Sequence, residues 1–350
     1  MEGDAKSVGA KPGGLIGMIV TTSPIILTIL STVLSGLSNA ELGQANYLRM
    51  LAGQKQSKIA DQWSFFQARR IRGTDIENTS DLLRLLGHVE PFDPDATRTE
   101  IDGISKSLEQ SGATPAVLAR IKTAQQKLDK VTKDPANKAS FTYLAKRSLP
   151  TAESETIAER EKLEEIIREI EARKSEKELA PLMLGVQEET LAKAVETAEK
   201  NQDGFDKVGG AAGKAFRNYA DALDEMLAAI RSVGKKGKEE RAVADTLVAS
   251  FKIATLDYDA RRYRQEAKLN QAVAQLYEVA VRHLGAQAER HRGRSFKFFL
   301  AMLISQMGAV VAAMALARIG NSGIWAVAAF SALIAGMMAL SFGAYVYLTT

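Results

Sequence analysis

The sequence predicts an all-α membrane protein. One N-terminal and two C-terminal transmembrane helices are joined by a long helical, coiled-coil-like cytoplasmic stalk that carries a helical insert. Three observations lead there. The runs Leu15–Leu37, Phe298–Ala317 and Ile324–Leu348 contain no acidic or basic side chain, and each reaches the roughly 20 residues that span a hydrocarbon core. The segments leading out of the first run and back into the second carry apolar residues at three- and four-residue steps, the mark of one helical face. Prolines gather between these segments and break the middle of the chain into shorter helices.

Residues 1–14 form an N-terminal tail with Lys6 and Lys11 offset by Glu2 and Asp4. Residues 15–38 are the first span, read as an uncleaved anchor because its apolar run exceeds the roughly 7–15 residues of a signal-peptide core. Pro24 within it predicts a kink. In the stalk helix, 39–73, Ala45, Leu48, Ala52, Ile59, Trp63, Phe66 and Arg70 make one stripe. Gly73 is read as its C-terminal stop.

The insert, 74–238, is expected to begin with a short helix at 81–86 and the turn Glu90–Asp95. Thr114 and Pro115 are read as N-cap and first residue of a helix over 116–131, followed by another over 136–146. A charged helix over 151–177 has Leu163, Ile167 and Ile170 as a thin seam, and Pro181 and Gly185 are read as interrupting the chain after it. Helices over 188–201 and 216–233 are expected, with a loop at Gly209–Gly213 between them and a basic turn at 234–238. The return stalk helix, 239–295, runs into the second span, 296–317; about 79 residues would extend ~120 Å if unbroken. A turn at 318–323 and the third span, 324–348, end the fold.

Basic residues set the expected orientation. Arg290, Arg292, Arg294 and Lys297 precede the second span, whereas Arg318 is the only charge in the turn after it. Positive residues stay on the cytoplasmic side, which places the stalk in the cytoplasm, and the four are read as contacting anionic lipid headgroups. His283 and His291 are expected in the same basic collar.

Within the spans, Ala301, Ser305, Ala309 and Ala313 recur every four residues, as do Ser331, Ala335, Ala339 and Gly343. Small residues at that spacing let backbones approach closely. Gln306 is read as an interhelical hydrogen bond.

Matching the two stalk helices antiparallel makes partner numbers sum to about 334. A shift of one turn would then pair Arg69, Arg70 and Arg72 with Asp257, Asp259 and Glu266, with Arg262 beside them. Either this layer fixes the register of the hairpin, or the arginines are simply solvated. Asp61, Trp63 and Phe66 lie on the same stretch, the aromatic pair as core or subunit contacts.

Catalytic patterns fail on inspection. Gly210–Lys214 lacks the first glycine and the Ser/Thr of a phosphate loop. There are no cysteines, which excludes thiolate chemistry, and no catalytic, cofactor or metal residues are assigned. No nucleic-acid fold signature appears.

The framing blocks Asp61-Gln-Trp-Ser-Phe-Phe-Gln-Ala-Arg69 and Arg262-Tyr-Arg-Gln-Glu-Ala267 resemble a family of bacterial membrane proteins described as a domain of unknown function. The resemblance covers roughly 19–73 and 250–348, leaves a longer middle than its members carry, and implies topology rather than activity. The expected function is a non-catalytic, homo-oligomeric scaffold of the bacterial inner membrane, with an unidentified protein partner. The alternatives are a pore or tension-responsive channel and an accessory subunit of a larger complex.

Overall fold

The computed structural model describes residues 15–86, 91–150, 157–317 and 322–348. Its described residues form α-helices, one short 3-10 turn and no strands. In chain order the α-helices are α1 Leu15–Leu86, α2 Pro94–Gln110, α3 Pro115–Lys133, α4 Pro135–Ala145, α5 Ile157–Glu171, α6 Glu176–Leu184, α7 Glu188–Arg231, α8 Lys238–Ala317 and α9 Ser322–Leu348. Contacts divide the chain into two compact units. The first comprises Met1–Lys55, Ser175–Val186 and Ala280–Thr350, and the second Gln56–Lys174 and Gln187–Val279.

Three helices, α1, α8 and α9, carry stretches long and apolar enough to cross a membrane. In the first unit these stretches meet through Leu27 and Leu34 of α1, Ala301 and Ala312 of α8, and Ala332, Ala335 and Ala339 of α9. The α6 turn is fixed by a capping box in which Ser175 and Glu178 satisfy each other's end of the helix. Leu48 of α1 packs on Leu284 and Ala288 of α8. In the second unit Phe92, Phe141, Phe216, Tyr219, Phe251 and Tyr258 build an aromatic core, mostly edge to face at 4.6–6.4 Å. Such pairs contribute about 0.5–1.5 kcal/mol each beyond their buried area.

The structure departs from several of the sequence expectations. Gly73 does not end α1, which continues to Leu86. A Cβ at Gly73 would lie 3.3 Å from the Ala260 carbonyl and 3.4 Å from Tyr263 Cβ, so this glycine serves close approach of α8. Likewise α7 is one helix through 209–213. Gly209 leaves room there for the Arg262 side chain, since a Cβ would sit 2.9 Å from Arg262 Cδ and force that side chain to move. Pro181 lies inside α6 rather than interrupting it.

The sequence reading missed α2. Asp93 caps it by accepting from the Asp95 and Ala96 amides at 2.8 and 3.2 Å, Pro94 occupies the first turn, and Thr97, Ile101, Ile104 and Leu108 are its buried face. Helix α3 starts at Pro115 after Thr114, whose side chain makes no cap bond. The charged helix narrows to α5; its expected start at 151–156 and the turn at 318–321 lie outside the described residues, as does the tail 1–14.

The four-residue stripe in α8 is also adjusted. Ala301 and Ser305 are fully buried, but burial then passes to Gly308 and Ala312, while Ala313 is exposed and Ala309 half-buried. A strict four-residue repeat outruns the 3.6-residue turn, so it rotates away from the contact within three steps. On α9 Ala335 and Ala339 are buried, with Ser331 and Gly343 half-buried.

Candidate functional site

The second unit brings most of the predicted charged layer together. Arg69 of α1 pairs with Glu266 of α8 at 3.0 Å. Arg262, one turn back on α8, lies 3.7 Å from Glu266 and 3.3 Å from Asp259. The guanidiniums of Arg69, Arg72 and Arg262 stand 5.3, 5.2 and 4.7 Å from the centre of the Tyr263 ring. Each cation gains from the quadrupole of the ring, while their mutual repulsion is offset by the neighbouring carboxylates. Glu266 is the best placed, with its side chain only 4% exposed.

The one-turn register shift is not what forms. Gly73 lies against Ala260 in this unit, near the unshifted match. Arg70 is exposed, and Asp257 is taken instead by Arg84 and by the Ser80 hydroxyl. The reason is that α1 continues past Gly73 and brings Ser80 and Arg84 alongside Asp257, giving that carboxylate nearer donors. Arg84→Glu should therefore destabilise by about 0.5–1 kcal/mol, the scale of a partly exposed pair, with recovery on adding Asp257→Arg. Thermal unfolding of the single and double variants measures this; Arg70→Glu with Asp257→Arg should show no such recovery. Asp61 is exposed, and Trp63 and Phe66 pack edge to face at 5.4 Å.

Burial pushes the Glu266 carboxyl above its usual range, partly offset by Arg262 and Arg69. Asp259 is raised for the same reason, offset by Arg262, Arg72 and Arg217. The folded state therefore holds these protons more tightly than the unfolded chain. Linkage then makes stability fall as pH rises from the unfolded value, 4.5 for Glu266, through the raised folded value. Glu240, held low by the Ser107 hydroxyl, acts in the opposite sense and only below 4.5. The melting temperature should rise as pH is lowered from 7 toward 5, and Glu266→Gln should flatten that slope.

In the first unit, Ser38 and Ser295 clasp α1 to α8 by reciprocal hydroxyl-to-carbonyl bonds of 2.9 and 2.8 Å. Ser305 donates to the Leu27 carbonyl at 2.8 Å. Gln306 does not play this part, because it is exposed. His283 is buried rather than in a collar, with its Nδ1 2.7 Å from the Met183 carbonyl and its Nε2 2.9 Å from the Gln287 amide nitrogen. His291 lies 2.5 Å from Glu41. Of the basic residues before the span, Arg290 and Arg292 are exposed. Arg294 turns toward Glu41 at 3.9 Å, and Lys297 sits over the Tyr345 ring at 5.1 Å.

A family model described as a domain of unknown function (DUF4337) matches residues 25–211. The chain belongs to this family. The DUF4337 match takes in the first stalk block, as the resemblance implied, but extends over most of the middle and stops short of 250–348. No curated protein and no solved structure matches the chain.

Proposed function

We propose that this protein is a membrane-anchored, self-associating helical scaffold without chemistry of its own, held in a bacterial inner membrane with its long helices in the cytoplasm. The observation that carries the anchoring is the outward face of the apolar helices. Ile25, Ile26 and Ile29 on α1, Met307 and Met314 on α8, and Phe330 and Leu340 on α9 are all at least 60% exposed. Such a surface is suited to lipid tails. Exposed Arg290 and Arg292 then meet anionic headgroups.

Self-association is supported by Gln306. It lies in the middle of the apolar stretch of α8 and is exposed, where an unpaired amide facing hydrocarbon costs several kcal/mol. A second copy could supply its partner, since polar side chains bond across helices within bilayers.

The test is native mass after gentle transfer from its own membrane into lipid nanodiscs. A defined homo-oligomer that Gln306→Leu shifts to smaller species supports the reading. A monomer at all concentrations sinks self-association, and release of the chain by alkaline carbonate sinks the anchoring. Co-purification with a different protein at a fixed ratio would instead make the chain an accessory subunit.

A further inference from the structure

The second unit contains a cavity of about 610 Å³ walled by α1, α7 and α8. That volume falls among small-molecule sites, which run roughly 300–1,000 Å³. We propose that this cavity binds an organic phosphate monoester with an apolar body, its phosphate held by Arg72, Arg217 and Lys252. This site is independent of the scaffold reading and goes beyond it.

Three features converge on that ligand. The first is positive charge outside any ion pair, with Asp259 acting on Arg72 and Arg217 only from beyond ion-pair distance. In the same unit Arg69, Arg84, Arg98, Lys127 and Arg264 each hold a carboxylate. Among the described residues Arg72, Arg217 and Lys252, which line the cavity from three different helices, have no carboxylate within ion-pair distance. Arg262 also lines the cavity but is held by Asp259 and Glu266, so Arg72, Arg217 and Lys252 face one further carboxylate of the lining, Asp224. The excess of two matches a phosphate monoester, which carries about −1.5 to −2 near neutral pH. Its three terminal oxygens can also be met by three separate cations, and charge-assisted bonds of this kind are the strong ones.

The second feature is the pair of glycines on α7. Gly210 and Gly213 line the cavity, yet a Cβ at Gly210 would meet nothing within 4 Å, and one at Gly213 only the Arg217 guanidinium at 3.8 Å. Glycine inside a helix costs roughly 0.5–1 kcal/mol relative to alanine. Gly209 next to them has a packing reason in Arg262, whereas at Gly210 and Gly213 what glycine preserves is open space. The third feature is the floor, made by Phe216, Leu223 and Phe251, each at most 5% exposed. It places apolar side chains beneath the charged rim, where the body of the ligand would lie.

The experiment uses the full chain in nanodiscs of zwitterionic lipid at low salt, titrated calorimetrically with phenyl phosphate, inorganic phosphate and phenol. Phenyl phosphate should bind saturably, more tightly than either fragment alone. Arg217→Gln combined with Lys252→Gln should weaken it at least about tenfold, as expected when charge-assisted bonds are lost. These side chains are exposed and form no ion pair, so the fold is expected to survive. Gly210→Leu should abolish binding while melting at or above the native temperature, which separates occupation of the cavity from damage to the helix. Repeating the titration in discs containing phosphatidate separates sources. Loss of phenyl phosphate binding there identifies a lipid phosphate as the occupant, and retention identifies a soluble one. Absence of saturable binding up to about 10 mM, or affinity unchanged in both variants, overturns the proposal.

Discussion

Replacing Glu266 by alanine should destabilise the protein by about 3 kcal/mol, the largest loss expected from any single charge here. Glu266 is the carboxylate that both Arg69 and Arg262 reach. Arg262 is only 15% exposed, and it shares the Tyr263 ring with two further guanidiniums. Removing one member of a buried ionic group typically costs about 3–5 kcal/mol, and alanine also empties the buried space that the Glu266 side chain fills, a loss that protonation of the carboxyl does not bring. The lower end applies because Arg69 is 36% exposed and water can screen it.

Burial already works against ionised Glu266, so the ion group is a poor source of net stability and a good source of specificity. Glu266→Leu with Arg262→Met should therefore recover most of what Glu266→Ala loses, since apolar replacement of buried ions is often neutral or stabilising. The measurement is helix loss by circular dichroism against temperature, in one detergent for all variants. A single-variant cost below about 1 kcal/mol would show that solvent, not Glu266, compensates these arginines.

How far this site could be read from sequence depends on which contacts are local. The apolar runs and the α1–α8 stripe were visible because helix periodicity and length are properties of neighbouring residues. Helix α2 was equally local: its Asp93 cap, Pro94 and the spacing of Thr97, Ile101, Ile104 and Leu108 were all present. Reading both prolines of the 90–95 stretch as a turn concealed them. The glycines are a different case. Gly73 and Gly209 look like breakers from sequence, and only the approach of Ala260 and Tyr263 to the first and of the Arg262 side chain to the second shows what each glycine admits. The partner of Asp257 was likewise out of reach, because it depends on α1 continuing past Gly73 to bring Ser80 and Arg84 within range.

Gly308 is where the same argument, a glycine kept for a neighbour, has its sharpest consequence. A Cβ at Gly308 of α8 would stand 2.5 Å from Ala335 Cβ on α9 and 3.2 Å from Leu27 Cδ1 on α1. Neither can yield cheaply, since Ala335 has no rotamer to change and both residues are buried. Within a bilayer there is no hydrophobic drive between helices, so close backbone packing carries much of their association. Gly308→Ala should cost about 1–3 kcal/mol by overpacking, and Gly308→Val more. Ser305→Ala, which removes only the hydroxyl bond to Leu27, should cost about 0.6 kcal/mol, so packing contributes more here than hydrogen bonding. The size swap decides the matter. Gly308→Ala with Ala335→Gly moves one methyl across the contact and should restore most of the native melting temperature in the same detergent. If Gly308→Ala alone melts with the native protein, these helices do not approach as closely as the contact requires, and the packing account of the three spans fails with it.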